Sequence, residues 1–134
     1  MAEGFTYSAA GAILRDRITS DVYICLSTTT PDKNGANFNE PPISAGYCRA
    51  KFGTVDASKS AQVANKNIIF IFEATADCGS VTHVGLANTE AVGTTPFLIG
   101  KLVNPITIGK DYVPLIRAHK FVVGLDKEAL EPYD

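Results

Sequence analysis

Excess charge of either sign is missing from this chain. Twelve Lys and Arg stand against fourteen Asp and Glu, a formal net charge of −2. That balance argues against the basic face through which a domain grips nucleic-acid phosphates. No apolar run approaches the ~20 residues that a membrane-spanning helix needs. The opening Met1-Ala2-Glu3-Gly4-Phe5 lacks the basic segment and long apolar stretch of a signal peptide. Cytoplasmic synthesis, with no secretion by that route, is therefore expected.

Cysteine is also sparse. Cys25, Cys48 and Cys78 are odd in number and far apart. They suggest neither a disulfide framework nor a close-spaced metal pair. Each lies in or beside an apolar pattern, so all three read as small buried residues.

Catalytic material is thin. Of the two histidines, His83 falls in a strand pattern and reads as a neutral ring with a backbone or hydroxyl partner. A nucleophile site built from Cys78 or Ser80 with His83 and Asp77 would crowd its members into one corner. Catalytic partners normally converge from separate elements. No Gly-x-Ser-x-Gly elbow, phosphate-binding Gly loop or dinucleotide fingerprint is present. His83 and His119 lack the further carboxylate or cysteine ligands that a metal site needs. Asp32, Glu40, Asp56, Glu73, Asp77 and Glu90 read as solvated turn or strand-end carboxylates. The chain is thus expected to be no enzyme and to hold no cofactor or metal.

At 134 residues the chain is read as a single domain with its own core. A short helix is expected over 8–18, capped by Ser8, with Ala9, Ala12 and Ile13 on one face and weakened by Gly11. The remainder has β character. Strands are expected at 21–26, 47–52, 67–73, 81–87, 97–103, 112–116 and 120–125, separated by Gly, Pro, Asn and Asp turns. A long surface loop covers 28–42, with a turn at Asp32-Lys33-Asn34-Gly35. About seven short strands with regular turn signals predict an antiparallel β-sandwich. Residues 1–7 read as an N-terminal arm and 126–134 as a charged tail.

One strand stands apart. Ile68-Ile69-Phe70-Ile71-Phe72 is apolar at every position, whereas an antiparallel strand with one wet face alternates. Both faces are expected to be covered, by the chain itself or by a neighbouring subunit. A fully buried Phe70 would make Phe70→Ala cost about 3–5 kcal/mol.

Several strings, in this order, resemble small bacteriophage virion proteins known as phage tail fibre proteins. They are Leu26-Ser27-Thr28-Thr29-Thr30-Pro31, Glu40-Pro41, Gly46-Tyr47-Cys48-Arg49, Ile69 to Thr75, and Gly79 to Leu86 with its Val-Thr-His-x-Gly. A looser match follows at 100–102 and 107–111, so the resemblance spans about 8–125. Cys78 stands where such proteins usually carry an aromatic, and the end from Phe121 to Leu125 departs from strict alternation.

The resemblance implies a structural virion component with no catalytic residues to carry over. A fibre, baseplate or adaptor position in the tail is expected, with a contribution to host attachment. A capsid decoration or cement protein and a carbohydrate-binding module are the alternatives. The last would need aromatics in the 28–42 loop, where only Phe38 is available. Expected partners are copies of the chain itself, as a trimer or other symmetric oligomer, and other virion proteins. No nucleic acid or membrane is expected, and synthesis would be in the host cytoplasm. Core or assembly candidates are Ile68, Phe70, Phe72, Tyr47, Arg49, Gly79, His83 and Gly85, with Arg49 placed to pair with an acid across strands.

Overall fold

A computed structural model describes residues 6–124 and 130–133. The chain is mainly β, with one short helix. Among the described residues it has nine strands rather than about seven. Positions 1–5 of the arm expected at 1–7, and tail positions 126–129 and 134, lie outside the described residues; Thr6 and Tyr7 belong to the start of a helix instead. The fold gathers into two compact units, one from Met1–Asp21, Phe52–Ile69 and Ile116–Asp134, the other from Val22–Lys51 and Phe70–Leu115.

The first unit holds helix α1 (Tyr7–Arg17) and a sheet of β3 (Val55–Asp56), β4 (Gln62–Asn65) and β9 (Val122–Gly124). Thr6, not Ser8, caps the helix: its hydroxyl accepts from the Ala9 N–H at 3.1 Å. The buried stripe is also one position away from the expected one. Ala10, Leu14 and Ile18 are buried at i, i+4 and i+8, while Ala9, Ala12 and Ile13 face water. Gly11 has a packing reason. A Cβ there would lie 1.8 Å from the Ser60 carbonyl oxygen, so only glycine allows this approach.

β4 is the central strand of that sheet, pairing antiparallel with β3 (Asp56↔Ala64) and β9 (Val63↔Val123). All four of its residues are buried, including Gln62 and Asn65. Neither β3 nor β4 is expected from the sequence. β4 reads Gln-Val-Ala-Asn, with polar ends and only two apolar residues, and so gives no strand signal. Phe52 and Phe121 meet edge to face at 5.5 Å in this unit.

The second unit is built on an antiparallel sheet in the order β2-β1-β6-β7. Its strands are β1 (Tyr23–Ser27), β2 (Ala50–Lys51), β6 (Gly79–Ala87) and β7 (Leu98–Ile108). β6 is inside, pairing Cys25↔Gly85 with β1 and Gly85↔Ile99 with β7. Gly85 fits here because a Cβ would come within 2.9 Å of Pro96 and 3.1 Å of the Cys25 sulfur.

β7 runs longer than expected. Asn104-Pro105 is not a turn between strands but part of a wide bulge. Val81 pairs Ile106 while His83 pairs Lys101, so Thr82 alone faces Leu102 to Pro105. A proline and a bulge on an edge strand blunt pairing with other chains.

β5 is short, Ile69–Phe70, and pairs with β8 (Leu115–Ile116). The all-apolar run is therefore not a long strand covered on both faces. Ile69, Ile71 and Phe72 are buried, but Ile68 is 42% exposed and Phe70 is 61% exposed. Phe70 is not a core residue. The cysteine reading also needs one correction: Cys25 and Cys78 are buried, and Cys48 is exposed between buried Tyr47 and Arg49.

Candidate functional site

The densest polar chemistry lies in the second unit, around a carboxylate from the long loop. Glu40 precedes Pro41, which biases its backbone toward an extended conformation. Its side chain is not a solvated turn acid. Only 4% of it is exposed, against an Arg49 side chain that is wholly buried. Arg49 Nε donates to Glu40 Oε1 at 2.7 Å and Nη2 to Oε2 at 3.0 Å, a two-point fork. The Tyr47 hydroxyl donates to Oε1 at 2.6 Å, and the Gly93 N–H to Oε2 at 2.7 Å.

A carboxylate offers about four lone-pair positions and a guanidinium five N–H groups. Here all of them are taken. The remaining Arg49 donors go to the Thr89 carbonyl (3.1 Å), the Thr94 hydroxyl (2.7 Å) and the Thr94 carbonyl. The Thr94 hydroxyl itself donates to the Ala91 carbonyl at 2.8 Å. Tyr47 in turn accepts from the Leu26 N–H on β1 at 3.0 Å.

The group thus ties β1, the 28–42 loop and the 88–97 loop together, and both of its charged groups are fully occupied by partners from this chain. Arg49 finds its acid in a loop rather than on a facing strand. The nearest sequence signal for Glu40 was its position in the Glu40-Pro41 string, upstream of Tyr47 and Arg49.

The electrostatics agree with a closed cluster. Burial by itself drives the Glu40 carboxyl upward, but hydrogen bonds from Arg49, Tyr47 and Gly93 outweigh it and hold the group below its ordinary 4.5. Burial and the neighbouring Glu40 push the Tyr47 phenol up. Burial also pushes the Cys25 thiol up to about 12, which keeps it a thiol rather than a nucleophilic thiolate.

The loop anchored by Glu40 is ordered by its own sequence. The Ser27 hydroxyl donates to the Thr29 carbonyl at 2.8 Å and accepts the Thr29 and Asn39 N–H groups. Thr29 donates its hydroxyl to the Asn37 carbonyl. At the tip, Asp32 Oδ1 accepts from the Asn34 and Ala36 N–H groups at 2.8 and 2.9 Å, an Asx turn completed by Gly35 at φ +86°. This tip and residues Pro96, Phe97 and Ile99 line an open cleft of about 360 Å³.

The other candidates do not converge on a reaction centre. His83 is buried, with Nδ1 at 2.8 Å from the Thr82 hydroxyl. Asp77 accepts the Lys110 N–H at 2.9 Å, and Cys78 contacts the Ala76 carbonyl. Burial, then the charge of Asp77, raises the Cys78 thiol. Gly79 opens β6 in the left-handed region at φ +83°. Phe72 packs edge to face on Tyr47 at 5.2 Å. His119 sits in the first unit, with Nε2 at 2.8 Å from Asp56. Among the described residues, no group of three or more His, Cys, Asp or Glu is arranged to hold a metal ion.

Residues 17–123 match the family model of podophage GP4 fiber I protein gp80. The chain belongs to this podophage fibre family. It is accordingly a structural protein of the phage tail, and a virion component. The matched span includes Glu40, Tyr47, Arg49 and Thr94 as well as the whole of β6 and β7. No curated protein matches the sequence. Among the described residues, no helix is long and apolar enough to cross a membrane.

Proposed function

We propose that this fibre-family protein is a rigid structural module of the podophage tail fibre. Its second unit holds preformed loops toward the host, and copies join through an exposed apolar strand pair. The observation that carries this reading is the saturated Glu40–Arg49 group. A cluster that uses every donor and acceptor on its own chain fixes surface loops and leaves nothing for chemistry. Membership of the fibre family supports the same role.

The joining surface is the second unit's share of the β5–β8 margin, residues 70–74 and 112–115. Ile71 N–H donates to the Pro114 carbonyl and Ala74 N–H to the Tyr112 carbonyl, so residues 70–74 run beside 112–115. Along these segments Phe70, Tyr112, Val113 and Leu115 are all exposed. Large apolar side chains clustered on one margin favour burial against another protein, and copies of the chain supply a self-complementary surface.

Two experiments test this. Antibody-gold labelling of intact particles should mark the tail alone; label spread over the head shell would replace this reading with a capsid decoration role. Sedimentation of the purified chain should show an oligomer that Phe70→Asp dissociates. A wild-type monomer, or an oligomer indifferent to that charge, would remove the β5–β8 margin as the joining surface.

A further inference from the structure

The first unit carries a second recognition surface, independent of the fibre reading. Gln62 is fully buried on β4, yet both ends of its amide face the C-terminal segment 130–133. Nε2 donates to the Glu131 carbonyl at 2.8 Å, and Oε1 accepts the Glu131 N–H. One side-chain amide thereby pairs with both the N–H and the C=O of one residue, as an adjacent strand would. Two residues on, the Tyr133 ring lies flat against His119, with centroids 4.5 Å apart and planes 8° apart. The Lys59 ammonium sits 5.7 Å from the Tyr133 ring centre. His119 is held in place by Asp56, and its backbone stands at φ +61°.

On the other side, Leu130 occupies the space in front of Gly124. A Cβ there would meet the Leu130 methyl at 2.5 Å. The segment is therefore read at three successive points: an apolar residue on a bare glycine, a backbone unit on an amide, and an aromatic ring on an imidazole. Backbone pairing with side-chain seats on either side is how proteins recognise extended peptides.

We propose that this groove is a docking site for the Leu130–Tyr133 segment of a second copy, so that neighbouring chains exchange their C-terminal segments. The groove already fits this sequence, and every copy carries both halves. Exchange replaces each contact by an identical one. None of residues 130–133 belongs to the β3-β4-β9 ladder, so the sheet stays intact when the segment leaves.

The test uses two full-length variants, both carrying Phe70→Asp so that the β5–β8 margin does not contribute. One adds Leu130→Asp and Tyr133→Ala, which spoil the segment and leave the groove. The other adds Gln62→Ala, which spoils the groove and leaves the segment. Because Gln62 is buried, His119→Ala serves as a second groove variant. Native mass spectrometry of the mixture should show a mixed dimer at least about tenfold more abundant than either variant's own dimer. Monomers alone from both mixtures would overturn the proposal. So would own dimers as abundant as the mixed one, because the contact would then lie elsewhere.

Discussion

The second unit fixes its loops with an ion pair whose donors and acceptors are all occupied, whereas the first fixes its own with two neutral amides. Asn65 does in the first unit what Arg49 does in the second. Its Nδ2 donates to the Asn67 and Arg117 carbonyls, both at 2.9 Å, and its Oδ1 accepts the Phe121 N–H at 2.9 Å. Both devices satisfy buried backbone groups that a loop would otherwise leave bare. They differ in what failure leaves behind. A lost amide strands neutral groups, while a lost carboxylate strands a buried cation.

The sharpest way to break this comparison is Glu40→Ala. With its partner removed, Arg49 is a desolvated charge, and a loss of about 3–5 kcal/mol is expected by urea unfolding. The same pair should carry a pH signature. A carboxyl held below its ordinary value contributes stability that is complete above that value and lost as pH falls through the folded one. Wild-type stability should therefore fall as the solution is acidified below about pH 4.5. Glu40→Gln should flatten that part of the profile. A profile unchanged by Glu40→Gln would mean that other carboxylates dominate acid unfolding.

Asn65→Ala is the counterpart in the first unit. It leaves the Phe121 N–H and two carbonyls without their partner, at a cost of about 2–3 kcal/mol. Because nothing charged is exposed or buried, the cost should be the same at neutral and mildly acidic pH. A loss equal to that of Glu40→Ala would erase the distinction between charged and neutral pinning.

The two units also differ in how far the sequence reveals them. In the second, β1 and β6 are legible because Ile24, Leu26, Val81 and Leu86 sit among turn-forming residues, and the Asp32–Gly35 turn follows from its side chains. Arg49 stands out as a charge within an apolar alternation, which points to a partner. Glu40 does not, because a loop carboxylate gives no local sign of burial; only the fold brings Arg49 to it across eight intervening residues. In the first unit, β4 escapes detection because Gln62 and Asn65 are buried for their amides rather than for hydrophobicity. The helix stripe is misplaced because Gly11 faces inward, and a glycine carries no apolar signal. Composition alone cannot tell a glycine that weakens a helix from one that lets it approach Ser60.

The smallest effect expected from substitution is at Phe70, where sequence pattern and structure part most clearly. An unbroken apolar run predicts a buried ring, but Phe70 stands outward while Phe72, two residues on, packs against Tyr47. In the isolated chain Phe70→Ala should alter stability by no more than about 0.5 kcal/mol. Phe72→Ala is the internal control and should cost about 3–5 kcal/mol, since its removal opens a cavity against Tyr47. Urea unfolding of both variants under dissociating conditions decides between pattern and packing. Equal losses would mean that the β5 ring is sealed within its own chain, and the apolar margin would cease to be a surface for a second copy. With the expected inequality, Phe70 gains its burial only on assembly, and its effect should appear in sedimentation rather than in the unfolding curve.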